Sequence, residues 1–139
     1  VGIEWMRAHP TCSTIAVEHD PQRAERISEN AGRLGVPTLQ VVLGEAPAAL
    51  GDLHPPDAVF IGGGISDGNV FEHVWARLKP GGRLVANVVS LEGEARVAAL
   101  FRTHGGELIR LAVSHAKPVG AMHGFKPAMP VTQWRVIRP

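Results

Sequence analysis

The order of apolar runs and helix-length segments predicts an α/β fold on a doubly wound, mostly parallel sheet that closes with an antiparallel carboxyl-terminal strand. Three observations carry this expectation. Four short apolar runs, 13–18, 39–43, 57–61 and 83–89, have the length and composition of buried parallel strands. Segments of helical periodicity separate most of them. The last run, Val131–Ile137, follows its predecessor with no helix between, and two strands joined by a loop most simply pair antiparallel.

Residues 1–8 put Val1, Trp5 and Ala8 on one face, with Ile3 and Met6 nearby, which is a helical spacing. The run 13–18 ends on Glu18. Asp20-Pro21 then supplies a cap and a first-turn proline, and Gly35 a stop, so 21–34 is expected to be helix. After 39–43 come a short Ala-rich turn of helix over 47–50 and the Pro55-Pro56 break. The run 57–61 leads straight into Gly62-Gly63-Gly64. A helix over 70–78 is closed by Lys79-Pro80-Gly81-Gly82, the strand 83–89 follows, and the helix 92–104 stops at Gly105-Gly106. Residues 107–115 read as strand, and 116–130, with two lysines and three prolines, as a loop. The fold ordinarily carries a glycine-rich loop between its first strand and first helix. None follows the first run here, so that strand and loop are expected to lie upstream of Val1, leaving residues 1–139 as one amino-terminally incomplete domain with weakened cofactor binding.

Bulk composition narrows the function. A chain of 139 residues, 45% hydrophobic, is sized for one core. With 14 Lys+Arg against 13 Asp+Glu the formal charge is +1, too small to gather nucleic acid or anionic lipid, so any anionic ligand must be held by a local cluster. The single cysteine, Cys12, forms neither an internal disulfide nor a zinc site alone, and it fits a reducing compartment. No apolar run approaches the roughly 18 residues of a membrane span, and the first residues do not read as a signal peptide. The expected setting is the cytoplasm, without metal, membrane or nucleic acid.

Chemistry-bearing residues gather at successive strand ends. Glu18 stands where a carboxylate accepts hydrogen bonds from a ribose diol, although an exposed acid near a helix start is the plainer explanation. His19 lies beside it. Glu45-Ala46 follows the next strand and offers a carboxylate and an amide to an adenine edge; ordinary helix-start chemistry before Pro47 is the alternative. Gly62-Gly63-Gly64 ends the third strand, where missing side chains let a ligand lie against backbone, against the alternative of a plain flexible turn. Gly62 falls to the cofactor side and Gly63 and Gly64 to the substrate side of one expected crevice. Farther on, His115, Lys117, His123 and Lys126 stand among glycines and prolines, as a cationic lid for carboxylates or as ordinary surface charge. Trp5, Trp75 and Trp134 are expected in core or interface, and Cys12 is expected to be structural.

The blocks Ala16-Val17-Glu18-His19-Asp20-Pro21, Gly44-Glu45-Ala46-Pro47-Ala48-Ala49-Leu50, Asp57-Ala58-Val59-Phe60-Ile61-Gly62-Gly63-Gly64 and Leu78-Lys79-Pro80-Gly81-Gly82-Arg83-Leu84 resemble Rossmann-like class I methyltransferases. The Gly-Glu-Ala-Pro and Ile-Gly-Gly-Gly blocks resemble the decarboxylating precorrin-6Y C5,15-methyltransferase family, in which Gly-Asp-Ala is usual. Pro118-Val119-Gly120-Ala121-Met122-His123-Gly124-Phe125 and Pro130-Val131-Thr132-Gln133-Trp134 resemble the carboxyl-terminal domain of its bifunctional members. The resemblance covers nearly the whole chain. It implies methyl transfer from S-adenosylmethionine to C15 of a corrin precursor, a tetrapyrrole of cobalamin synthesis, with loss of carbon dioxide from the C12 acetate. It also implies a fused or associated C5-methylating domain, and homo-oligomers, tetramers in separate versions of this domain.

Such a reaction requires alignment of donor and nucleophilic carbon and exclusion of water, and no metal. His19 and His123 are candidates for proton transfer because imidazole titrates near neutral pH. A class I methyltransferase acting on RNA or protein is the runner-up and would show a basic groove. A nicotinamide-dependent oxidoreductase would show a parallel final strand, and a module that only scaffolds an oligomer is a non-enzymatic reading.

Overall fold

A computed structural model describes residues 1–67 and 69–139, in two compact units, Val1–His54 and Pro55–Pro139. The first unit runs α1 (Gly2–Ala8), β1 (Ile15–Glu18), α2 (Pro21–Arg33), β2 (Gln40–Leu43) and a short 3-10 turn, Ala48–Leu50. The cap expected at Asp20 forms: its Oδ1 accepts the Arg23 amide at 3.0 Å, with Pro21 in the first turn. That backbone hydrogen bond is the main reason the Asp20 carboxyl lies below its usual range. β1 and β2 are parallel, Ile15 opposite Gln40 and Glu18 opposite Leu43. A small core of Ala31, Val36 and Leu39 takes Ile3 and Met6 from α1, Ile27 from α2 and Ala16 and Val41 from the strands. α1 can approach because residue 2 is glycine, whose Cβ would stand 2.6 Å from Thr14 Cγ2.

The second unit contains β3 (Ala58–Ile61), α3 (Val70–Arg77), β4 (Arg83–Val88), α4 (Leu91–His104), β5 (Glu107–Leu111), β6 (Ser114–Val119), β7 (Met122–Pro127) and β8 (Val131–Ile137). Its main sheet has the order β3-β4-β8-β5. β3 and β4 are parallel, and β8 runs antiparallel to both β4 and β5, so three strands share one sense and the last is reversed, as the sequence predicts. Side chains alternate across this sheet. Leu84, Ala86, Val88, Thr132, Trp134 and Val136 are buried on one face, where α3 and α4 contribute Phe71, Val74, Val97 and Leu100.

Trp134 is fully buried at the centre of that core. Its ring lies 5.7 Å from Phe71 and 6.4 Å from His104, and its Nε1–H donates to the Gly105 carbonyl at 2.9 Å. Gly106 at the next position has φ +90°, and a Cβ there would fall 2.2 Å from the Arg135 carbonyl oxygen, so only glycine lets β5 enter the sheet beside β8. Of the other tryptophans, Trp75 stacks on Phe71 at 5.5 Å and both it and Trp5 are half-buried.

One segment departs from the sequence reading. Residues 116–130 were expected as a loop, and 107–115 as one strand; instead β5 ends at Leu111, and β6 and β7 form an antiparallel hairpin turning at Gly120. Gly120, with φ +59°, supplies the turn conformation, and Val119 pairs with Met122. The prolines that suggested a loop, Pro118 and Pro127, are tolerated because among the described residues the hairpin pairs with no other strand. Among the described residues no helix is long and apolar enough to cross a membrane.

Trp134→Ala removes the largest buried side chain and the donor to Gly105. Denaturant unfolding is expected to show a loss of ~3–5 kcal/mol. A loss below about 1 kcal/mol would mean that the core does not depend on this ring.

Candidate active site

In the first unit the strand ends bring Glu18 and the Gly44-Glu45 turn together. The Gly44 amide donates to the Glu18 carbonyl at 3.0 Å, continuing the β1–β2 ladder by one step. Gly44 must be glycine for the chain to fold back, since its Cβ would lie 2.9 Å from Ala49 Cβ. The Glu18 carboxylate is largely shielded, its side chain 19% exposed, and Oε1 accepts the Asp20 amide at 3.0 Å, with His19 Nδ1 at 3.2 Å. Oε2 has no hydrogen-bond partner among the described residues. The helix-start explanation therefore accounts for one oxygen of Glu18 and leaves the other. Glu45 and His19 are exposed. Glu45 contributes its backbone, the carbonyl accepting the Ala49 amide at 2.9 Å.

In the second unit Gly62-Gly63-Gly64 borders a cleft of about 190 Å³ at the carboxyl ends of β3 and β4. A Cβ on Gly63 or Gly64 would meet nothing within 4 Å, so the backbone faces open space, and Gly64 has φ +78°. Gly62 is tighter, since a Cβ there would lie 3.1 Å from the Phe60 ring. The far wall is the start of α4: Ser90 Oγ caps the helix by accepting the Gly93 amide at 3.1 Å, and Gly93 is pressed against Val88, its Cβ position 2.8 Å from Val88 Cβ. Sequence reasoning did not single out Asn87, Ser90, Gly93 and Val131, which also line this cleft. The signal available was an amide and a capping serine at the end of an apolar strand. A wider groove of about 430 Å³ lies at the opposite ends of the strands, by Arg83, Glu107 and Arg135, where Glu107 and Arg135 already pair with each other.

Next to Gly93 and Val131, Glu94 accepts a hydrogen bond from buried Thr132 Oγ1 at 2.8 Å and an ion pair from Arg110 at 2.5 Å. The Thr132 hydroxyl first, and Arg110 second, hold the Glu94 carboxyl below its usual range. Glu72 is also lowered: burial pulls it upward, and the hydrogen bond and charge of Arg96 outweigh that.

The hairpin distributes the four residues expected in a lid over two faces. His115 stands opposite Lys126, and Lys117 opposite Gly124, so His115, Lys117 and Lys126 share one face. His123, opposite Pro118, is on the other with Ala116 and Phe125. All four residues are exposed.

Residues 1–138 match the family model described as precorrin methyltransferase domain. The chain belongs to this family. A precorrin-6Y C(5,15)-methyltransferase [decarboxylating] of Sinorhizobium is 54% identical over 134 residues, covering 96% of this chain and 32% of that protein. A cobalt-precorrin-6B C(15)-methyltransferase (decarboxylating) of Salmonella typhimurium is 33% identical, covering 94% of this chain and 69% of that protein. A crystal structure described as a putative precorrin-6Y C5,15-methyltransferase targeted domain from Corynebacterium diphtheriae superposes with a TM-score of 0.92 at 43% identity, covering 99% of this chain and 82% of that one. The fold is thus the Rossmann-like class I methyltransferase fold, and the chain spans about a third of the length of the curated relatives it matches at 54% and 38% identity.

Because the folded-state value of Glu94 is depressed, its contribution to stability is complete above the unfolded carboxyl value of about 4.3 and disappears as pH falls through the lower folded value. Thermal melts between about pH 5 and 3 are expected to fall less steeply for Thr132→Val and Arg110→Ala than for the unsubstituted protein. Parallel curves would exclude Glu94 as a source of that acid sensitivity.

Proposed function

We propose that this chain carries the S-adenosylmethionine-dependent methylation of C15 of a corrin precursor, with decarboxylation of the C12 acetate, in cobalamin synthesis. The observation that supports it most is family membership over residues 1–138 together with two fitting strand-end sites, one in each unit. Glu18 is shielded, oriented by the Asp20 amide, and retains a free oxygen, which suits a ribose diol. His19, Glu45 and Ala46 complete the cofactor set of the first unit in this reading. Bound there, S-adenosylmethionine would supply an activated methyl group on a sulfonium.

The residues of the chain then align, shield and hold charge. Gly63 and Gly64 leave room for a flat ring against backbone, and the uncharged cleft beside them excludes water from the reacting carbon. Lys117 and Lys126, on one face of the hairpin, grip peripheral carboxylates of the substrate. His19 and His123 are the candidates for returning a proton after carbon dioxide leaves.

The partners in this reading are a tetrapyrrole substrate, a C5-methylating domain fused to or associated with this one, and further copies of the chain. The length of the first two relatives supports the second. The hairpin supports the third: Phe125 is 80% exposed on the face it shares with Ala116, apolar surface that favours burial against another chain.

Two substitutions separate cofactor from substrate. Glu18→Ala in the complete protein is expected to weaken S-adenosylmethionine binding by ~1.5–3 kcal/mol in calorimetry. Lys117→Ala with Lys126→Ala is expected to raise KM for the corrin precursor while leaving cofactor affinity alone, and to flatten the salt dependence of substrate binding. Unchanged cofactor affinity in the first, or a salt slope parallel to wild type in the second, would reject that assignment.

Phe125→Glu is expected to reduce the molar mass measured by light scattering. An unchanged mass for an oligomeric wild type would place the interface elsewhere, and a monomeric wild type would remove the oligomer from this reading.

A further inference from the structure

Asn87 is the polar residue at the carboxyl end of β4, and it lines the cleft bordered by Gly62, Gly63 and Gly64. It stands directly opposite Gln133 of β8, and Gln133 Nε2 donates to Asn87 Oδ1 at 2.9 Å. The amide is thereby oriented: with Oδ1 engaged by Gln133, the groups left over are the two N–H donors on Nδ2. Nδ2 has no hydrogen-bond partner among the described residues. Asn87 is half-buried, yet among those residues no buried side-chain nitrogen or oxygen lacks a partner, so Nδ2 is open to solvent. The cleft is the opening that Asn87 lines, and Gln133 is not part of its lining.

We propose that Asn87, oriented by Gln133, is a substrate-binding residue that donates Nδ2–H to a carboxylate oxygen in the Gly62–Gly64 cleft. The inference rests on the reading of the substrate as a polycarboxylate and deepens it. A donor with no acceptor beside it selects an oxygen acceptor, and among the described residues no charged side chain lines the cleft. A carboxylate held here is therefore fixed in direction by a neutral donor and is not neutralised by a cation. The lysines of the hairpin share no lining residue with this cleft.

Two isosteric substitutions test this in the complete protein. In Gln133→Glu the carboxylate cannot donate to Asn87 Oδ1 and instead accepts from Nδ2, which turns the donors away from the cleft while a cross-strand hydrogen bond remains. In Asn87→Asp the bond from Gln133 remains, and an anionic oxygen replaces the donor facing the cleft. Both are expected to raise KM for the precorrin substrate about tenfold or more, with the S-adenosylmethionine dissociation constant and the melting temperature unchanged. A merely structural role would move the melting temperature and leave KM in place. Wild-type turnover with unchanged KM in both variants would overturn this inference alone, whereas a wild type without turnover would overturn the functional reading and this inference with it. Gln133→Glu alters no cleft residue, so its KM decides the matter if Asn87→Asp does not fold.

Discussion

The second unit depends on the insertion of β8 between β4 and β5. That strand runs antiparallel to both neighbours, burying Thr132, Trp134 and Val136 on one face and carrying Val131, Gln133, Arg135 and Ile137 on the other. Trp134 anchors the buried face by filling the space under α3 and α4 and sending its Nε1–H to the backbone at the end of α4. Thr132 and Gln133 then fall, by alternation, on opposite faces near the carboxyl end of β4, where each meets a partner across the sheet or from α4. The register around one buried indole thus brings Gln133 to Asn87 at the cleft and Thr132 to Glu94 behind it.

The polar groups of the second unit divide by role. Glu94, Thr132 and Arg110 satisfy one another and hold the start of α4 to the sheet, which keeps the Ser90–Gly93 wall in place. The cleft itself is uncharged and mostly apolar, while the lysines lie out on the hairpin. In the proposed reading that separation suits a large anionic ring: strong charges would act at its periphery, and the reacting centre would sit where little competes with alignment. In the first unit the same economy holds on a smaller scale, because Asp20 caps α2 with its side chain and orients Glu18 with its amide.

The hairpin shows how one segment serves two surfaces. Period-two alternation puts His115, Lys117 and Lys126 on one side and Ala116, Phe125 and His123 on the other. The first carries the cations, with Val119 and Met122 at its turn end, and the second exposes Phe125. A loop with the same residues would not separate these functions.

The sequence by itself determined the order of the main strands and helices, the cap at Asp20, the stops at Gly35 and Gly105-Gly106, and the reversed last strand, because these follow from local periodicity and from glycine and proline stereochemistry. Motif blocks were equally legible, and they carried the family. Tertiary structure alone decided the rest. Proline and glycine between 116 and 130 masked a hairpin whose pairing depends on a turn at Gly120 and on having no further strand beside it. The partnership of Asn87 with Gln133, 46 residues apart, required the register of β4 against β8. A contact across a sheet depends on strand order and stagger, which are set by the packing of the whole core around Trp134 and leave no local mark in the chain.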